Sequence, residues 1–275
     1  MNGHDKEELE LDLFISLVKR VYDYDFNEYR RASIKRRIKH LVVQNNLEHI
    51  SELIPRVLYQ EDFRQHLLQC VSVTVTEMFR DPWVFRTLRD EVMPALTILP
   101  KIHIWHAGCA TGEEVYSMAI ILKECGLLEH TTIHATDFNE ASLDIARRGE
   151  YPLENIKQHT KNYIAAGGTS SFADYYSVNG KWAVLDSALK KNIAFYHHDL
   201  AVDPSFGKMN MIICRNVLIY FQKNLQERVF ELFNSSLTTN SFLVLGDKES
   251  TEFSVLAKIF THISSSSSSK IYRRT

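Results

Sequence analysis

A strand that runs into a glycine turn and straight on into a helix is the feature that most narrows the fold of this chain. At Ile102–Ser117 the sequence reads IHIWHAGCATGEEVYS. The apolar run stops at Ala107-Gly108, and Gly112 followed by Glu113 and Glu114 opens a helical pattern. Strand, tight turn and helix N-terminus together present backbone N–H groups to the polar part of a nucleotide-like ligand. The turn has neither the G-x-G-x-x-G of dinucleotide binders nor the Gly-Lys-Ser/Thr of a P-loop. Two carboxylates stand where a phosphate-binding loop would avoid negative charge. Such a loop suits a ligand with cationic groups and no phosphate.

The rest of the chain supports an α/β reading. From Lys101 onward strand-like and helix-like segments alternate, which implies a mainly parallel sheet with crossover helices. The expected strands are Lys101–His106, Thr132–Thr136, Ile193–His197, Met209–Cys214, Phe242–Leu245 and a last one at Lys270–Arg273. The expected helices are Glu113–Cys125, Glu140–Arg148 and Leu225–Leu237, after one at about Pro82–Leu96. Between about Pro152 and Lys191 the rhythm breaks. There Asn179-Gly180, between YYSV and KWAVL, signals a hairpin, so a small antiparallel excursion is expected. The serine run Ser264–Ser269 reads as a flexible loop. Residues 9–69 carry helical periodicity only, with no glycine between Gly3 and Gly108. The second helix there, roughly Asn27–Asn45, has its apolar seam at Ile34, Ile38 and Leu41. Val71–Val75 alternates like a strand. The division expected is a helical domain over 1–72 and an α/β domain over 73–275, with an insert at about 152–192.

Bulk composition excludes several classes. The chain has 275 residues, 45% hydrophobic and 24% charged, with a formal net charge of −2, so no global field favours nucleic acid. No apolar run approaches the ~18 residues of a membrane span, and the acidic, polar start MNGHDKEELELDLF is unlike a signal peptide. Cys70, Cys109, Cys125 and Cys214 show no C-x-x-C pairing and read as reduced thiols of a cytoplasmic protein. The twelve histidines show no metal-ligand spacing.

Candidate site residues gather at strand ends, where open α/β sheets bind ligands. S-adenosylmethionine, with its sulfonium and ammonium and no phosphate, fits the acidic loop after Gly108. Glu114 could accept from that ammonium. Alternatively, Thr111 and Glu114 could form a capping box, and one carboxylate cannot do both. Asp137, ending the second strand, suits ribose hydroxyls or a helix cap, with Asn139 as the other possible cap. Asp199-Leu200 follows another strand, where a carboxylate and an N–H could meet adenine. Cys214-Arg215-Asn216-Val217-Leu218-Ile219-Tyr220-Phe221 ends an apolar strand abruptly in Arg-Asn, costly unless satisfied. Thr74, Thr76 and Arg80 lie in TVTEMFRDP, where Arg80 is either a carboxylate clamp or a solvated arginine. Residues 19–40 hold eight Lys/Arg against three Asp/Glu. Arg31, Lys35, Arg36 and Lys39 form a cationic face there, read as solvated or as a surface for an acidic partner.

Taken together, T-V-T-E-M-F-R-D, A-T-G-E-E-V-Y-S, A-T-D-F-N and C-R-N-V-L-I-Y-F, in this order, resemble the CheR-type chemotaxis receptor methyltransferases over nearly the whole chain. The resemblance implies a class I, Rossmann-like methyltransferase with a seven-stranded mixed sheet, a small N-terminal all-α domain and an inserted antiparallel β-subdomain. It implies methyl transfer from S-adenosylmethionine to receptor glutamate side chains, leaving S-adenosylhomocysteine. Arg80 would hold the methionine carboxylate with Thr74 and Thr76 nearby, Glu114 the ammonium, and Asp137 the ribose. Asp199 and Leu200 would read adenine. Arg215 and Asn216 would line the cofactor beyond Gly108, and Tyr220 would sit beside sulfonium and acceptor. The basic helix would meet the acidic cytoplasmic helical bundle of chemoreceptors, with the chain monomeric and neither membrane-inserted nor bound to nucleic acid. Two positions depart from the family's habit: Thr74 where Asn is frequent, and Asp199, which can accept from the adenine amine but cannot donate.

Overall fold

The computed structural model describes residues 3–72, 76–251, 254, 257–263 and 269–275. It separates into two compact units, Met1–Val73 with Tyr220–Gln226, and Thr74–Ile219 with Glu227–Thr275.

The first unit is helical: α1 (Gly3–Tyr22), α2 (Arg31–Gln44), α3 (Ile54–Tyr59) and α4 (Phe63–Val71). Helix α1 buries Leu11, Phe14, Ile15 and Val18, and α2 buries the seam Ile34, Ile38 and Leu41, the period of an amphipathic helix. Helix α2 starts four residues later than the sequence suggests. Tyr29 makes a β-bridge with Phe221, and Arg30 sits at ψ 116, so the chain is extended there. The strand expected at Val71–Val75 is not one at its start, because Val71 closes α4; Val73–Val75 lie outside the described residues.

The second unit opens with α5 (Pro82–Thr87) and α6 (Met93–Leu96), joined by a π-helical turn at Leu88–Val92. Its strands are β1 (Ile102–Ala107), β2 (Thr131–Asp137), β3 (Glu150–Pro152), β4 (Tyr176–Asn179), β5 (Trp182–Leu185), β6 (Ile193–His197), β7 (Met209–Cys214), β8 (Leu237–Leu245), β9 (Phe260–His262) and β10 (Lys270–Arg274). The connecting helices are α7 (Glu113–Glu124), α8 (Glu140–Arg148), α9 (Ile156–Ala165), α10 (Ser187–Lys190) and α11 (Lys223–Ser236). Seven strands form one sheet in the order β6-β2-β1-β7-β8-β10-β9. It is parallel from β6 through β8, and β10 and β9 run antiparallel. The mixed seven-stranded sheet therefore stands as the resemblance implies. The strand order reverses on either side of β1, which places a crevice at the carboxyl ends of β1, β2, β6 and β7.

The insert is a second sheet, β3-β5-β4, with β4 and β5 joined at Asn179-Gly180, where Gly180 takes φ +58. The excursion is not purely antiparallel strand. Helix α9 lies inside it, burying Ile156, His159, Asn162 and Tyr163 on one face. Glu124 pins the insert to α7 by accepting from the Tyr163 and Tyr175 hydroxyls and the Thr169 N–H, and it pairs with Arg89. Of the serine run, only Ser269 is described.

Candidate functional site

The loop after β1 is drawn tight against its neighbours. Gly108 takes φ +76, and a Cβ there would lie 2.6 Å from Val217 Cγ2. Its N–H and that of Cys109 both donate to the Thr136 carbonyl at 2.8 Å, tying the turn to the end of β2. Gly112 takes φ +90, and a Cβ there would lie 2.8 Å from Ala146 Cβ on α8. Glycine is required at both positions for conformation as well as for space.

Asp137 is the strut of this loop. Its Oδ2 accepts from the Ala110 N–H and its Oδ1 from the Asn139 N–H, each at 2.9 Å. It is buried, and burial raises its carboxyl above the ordinary range against those two hydrogen bonds. The cap of α8 is Asn139, which accepts from the Ala141 and Ser142 N–H groups. Asp137 therefore does not cap the helix, and each of its oxygens keeps a lone pair for a ligand. Asp199 accepts from the Ala201 N–H at 2.8 Å, and burial raises it as well. Leu200 beside it is buried.

The capping box that Thr111 and Glu114 could form is absent. Helix α7 starts at Glu113 with Gly112 as its N-cap, one residue too late for Thr111 to serve. Instead the Thr111 hydroxyl donates to Glu113 Oε2 at 2.6 Å, and Tyr151 donates to the Thr111 carbonyl at 2.8 Å. Burial pushes Glu113 up to about 7. A carboxyl raised on folding stabilises fully below its unfolded pKa, and loses that contribution as pH rises through the folded value. Glu113→Gln is therefore expected to flatten the stability–pH curve between about pH 5 and about pH 8 by up to about 3 kcal/mol. Urea unfolding of both proteins at the two ends checks this; parallel curves would refute it.

Glu114 meets Arg215. Arg215 Nη1 donates to Glu114 Oε2 at 2.5 Å and to the Arg80 carbonyl at 3.2 Å, and Nη2 donates to Asp81 Oδ2 at 2.7 Å. The Arg215 side chain is 1% exposed, with its guanidinium 5.8 Å from the centre of the Phe85 ring. Burial drives Glu114 up, but Arg215 and the His106 ring, 3.7 Å away, outweigh it and hold the carboxyl below its ordinary value. Arg215 is thus not a surface charge. Among the described residues, nothing hydrogen-bonds its Nε, His106 Nε2 or His159 Nδ1, all buried.

Asp81 and its neighbours reach Arg215 through a strained turn. Phe79 and Asp81 take φ +54 and +57, unfavourable for side-chain-bearing residues. The Phe79 N–H donates to Ser117 Oγ, and Asn162 Nδ2 donates to the Met78 carbonyl, fixing the turn against α7 and α9. Arg80 lies beside a cavity of about 440 Å³ lined by Thr76, Glu77, Arg80, Asn155, Gln158 and His159. Burial lowers His159 to about 4, so it is neutral at ordinary pH. Thr74 lies outside the described residues.

Sequence reasoning missed the residue that holds the loop after β7. Glu249 is buried and accepts from the backbone N–H groups of Asn216 at 3.0 Å, Val217 at 2.9 Å, Ile219 at 3.3 Å and Gly246 at 2.7 Å, among others. Asn216 takes φ +60 in that loop. The available signal was position, since Glu249 follows the carboxyl end of β8. Asp81 was masked by its place before Pro82, where it reads as a helix entry.

Tyr220 falls in the helical unit. Its carbonyl accepts from the Arg30 N–H at 2.7 Å, and its ring lies 5.1 Å from the Arg37 guanidinium. The cationic face of α2 is also not simply solvated. Arg31 pairs with Glu8 and Asp12, Lys35 with Glu7 and Glu8, and Lys39 with Glu7, all from α1. Lys35 keeps only 18% of its side chain exposed. Arg36 is exposed. Among the described residues no helix is long and apolar enough to cross a membrane, and no group of three or more His, Cys, Asp or Glu could hold a metal ion.

A seven-stranded sheet of this order, with an acidic glycine loop after its first strand, defines a class I S-adenosylmethionine-dependent methyltransferase. Residues 74–267 match the CheR methyltransferase SAM-binding domain and residues 9–72 the CheR methyltransferase all-alpha domain, so the chain belongs to the CheR methyltransferase family. It is 46% identical over 260 residues to the Cher3 protein of Pseudomonas putida, covering 94% of this chain and 95% of that one. It is 31% identical to chemotaxis protein methyltransferase 1 of Vibrio cholerae over 79% of this chain and 80% of that one. With the chemotaxis protein methyltransferase of Listeria monocytogenes the identity is 29%, over 86% of this chain and 88% of that one.

Proposed function

We propose that the chain transfers the methyl group of S-adenosylmethionine to glutamate side chains of chemoreceptors, forming methyl esters, and works as a cytoplasmic monomer. The observation that carries this reading is the buried Arg215, clamped between Glu114 and Asp81 at the carboxyl end of β7 beside the glycine loop. That environment buries a guanidinium between two partly exposed carboxylates. It suits a cofactor whose charges are an ammonium, a sulfonium and one carboxylate.

In this reading Arg80, with Thr76 and Thr74, takes the methionine carboxylate at the mouth of the cavity that His159 lines. Glu114 takes the ammonium through the oxygen Arg215 does not use. Asp137 takes the ribose through lone pairs left by the Ala110 and Asn139 N–H bonds, and Asp199 with Leu200 takes adenine. Gly108 keeps the loop backbone close, and Arg215 and Asn216 line the reacting end. The bound cofactor supplies an activated methyl group. The acceptor glutamate, with an unperturbed pKa of about 4.3, is already ionised at neutral pH. No side chain is therefore needed to remove a proton, and the work left to the protein is alignment and exclusion of water. Tyr220 and Arg215 are the groups assigned to orient the acceptor. The cationic residues Arg31, Lys35, Arg36 and Lys39 of α2 meet the acidic receptor helices.

Incubation with methyl-labelled cofactor and receptor-containing membranes, followed by release of base-labile methanol, tests the reaction. Label that stays on the receptor after alkali would overturn ester formation. Absence of label despite tight cofactor binding would overturn catalysis on this substrate.

A further inference from the structure

Arg31, Lys35 and Lys39 stand at i, i+4 and i+8 on α2, one straight stripe on a single helical face. The carboxylates facing them on α1 run the opposite way, with Glu8 and Asp12 one turn apart and Glu7 adjacent to Glu8. Arg31 meets Asp12 at 2.6 Å and Glu8 at 3.0 Å, Lys35 meets Glu8 at 2.6 Å and Glu7 at 2.5 Å, and Lys39 meets Glu7 at 2.9 Å. An acidic helix from a partner would lay its carboxylates on these cations in the same manner. Helix α1 is held independently of them by Leu11, Phe14 and Val18, each fully buried. Its acidic side chains can therefore be displaced while the helix stays in place.

We propose that Glu7, Glu8 and Asp12 are specificity-determining residues: a built-in acidic competitor on α1 that only a partner helix dense in carboxylates can displace from α2. The inference rests on the reading that α2 docks the acidic substrate. Ion pairs at a partly exposed surface are individually weak and exchange readily, so the stripe selects partners without blocking them. Arg36, outside the network, offers a first contact to any acidic surface. A partner with scattered carboxylates gains from Arg36 alone, whereas one with carboxylates on successive turns replaces the α1 set as a unit. The charges on both sides of the exchange are exposed enough to be screened, so discrimination fades as salt rises.

The test compares Glu7→Gln/Glu8→Gln with Glu61→Gln/Asp62→Asn, which removes the same charge from exposed positions of the same unit. Steady-state methylation of receptor-containing membranes is measured at low and high salt, and cofactor binding by calorimetry. The expected result is a KM for the membranes lowered about fivefold in Glu7→Gln/Glu8→Gln, with kcat and cofactor affinity unchanged. The control pair should leave KM unmoved, and the difference should shrink at high salt. If the double variant does not fold, Glu8→Gln alone, which still loosens both Arg31 and Lys35, should lower KM in the same direction. An unchanged KM, or an equal fall in the control, overturns the competitor. Arg36→Glu separates the two levels of argument. A raised KM there with no effect of the α1 variants removes the competitor alone, whereas an unmoved KM in Arg36→Glu removes α2 as the docking helix and the competitor with it.

Discussion

Replacing Arg215 with alanine is expected to cost about 3 kcal/mol of stability at neutral pH and to lower S-adenosylmethionine affinity at least about a hundredfold. The substitution leaves Glu114 and Asp81 facing each other across an emptied site, and an ion pair broken from one side costs more than the intact pair contributes. The pH dependence identifies the cause. Arg215 and His106 now hold the Glu114 carboxyl below its ordinary value despite burial. In that state its contribution to stability is present above the unfolded pKa and is lost as pH falls through the folded one. Without Arg215, burial dominates and the sign reverses, so the deficit should narrow as the solution is acidified and Glu114 becomes neutral. Urea unfolding from neutral to mildly acidic pH, with calorimetric titration of the cofactor, measures both effects. A deficit independent of pH would mean that lost packing against Phe85, and not an orphaned carboxylate, governs the variant.

The second large effect is expected at Glu249. Alanine there withdraws the acceptor from the N–H groups of Asn216, Val217, Ile219 and Gly246 at once. An unsatisfied buried donor costs about 1–3 kcal/mol. Water entering the vacated space recovers part of the sum, so a loss of about 4 kcal/mol is the expected outcome. Because that loop carries Arg215 and Asn216, cofactor affinity should fall with stability. Glu249→Gln keeps one acceptor oxygen and turns an amide N–H₂ toward donors, so it should lie between alanine and wild type. A Glu249→Ala protein that melts at the wild-type temperature and binds cofactor normally would remove Glu249 from the site.

Local signals in the sequence were enough for the scaffold, while the chemistry depended on contacts that sequence spacing does not encode. Strands β6 and β7 and helix α8 begin and end where the pattern put them, with Asn139 and Gly149 bounding α8 and Arg215 ending β7. Helix α9 was missed because KQHTKN between Ile156 and Tyr163 is polar and shows no apolar periodicity. It folds because Ile156, His159, Asn162 and Tyr163 bury one face. The glycine turn and the Arg-Asn strand end were visible as anomalies. The partners were not visible, since Glu114 is 101 residues from Arg215 and Asp81 is 134. The cationic helix shows the same limit, because its neutralising carboxylates lie on α1, before the stretch that carries the cations. A charge count over residues 19–40 passes over them.

The signature Cys214–Phe221 is continuous in sequence but divided in space after Ile219. From Tyr220 to Gln226 the backbone is bonded to the helical unit: Arg30 N–H to the Tyr220 carbonyl, Gln222 N–H to the Glu28 carbonyl, and Tyr29 bridging Phe221. The N-terminal helices are therefore not a removable accessory. A version of the chain cut before Thr74 would retain every residue of the signature in order, yet strip its second half of the partners that give it a conformation. Recombining helical domains between relatives to redirect substrate choice would for the same reason have to carry residues 220–226 along with residues 1–73. The exchangeable unit is two separate stretches of sequence, and a graft made at the single obvious boundary would join mismatched halves.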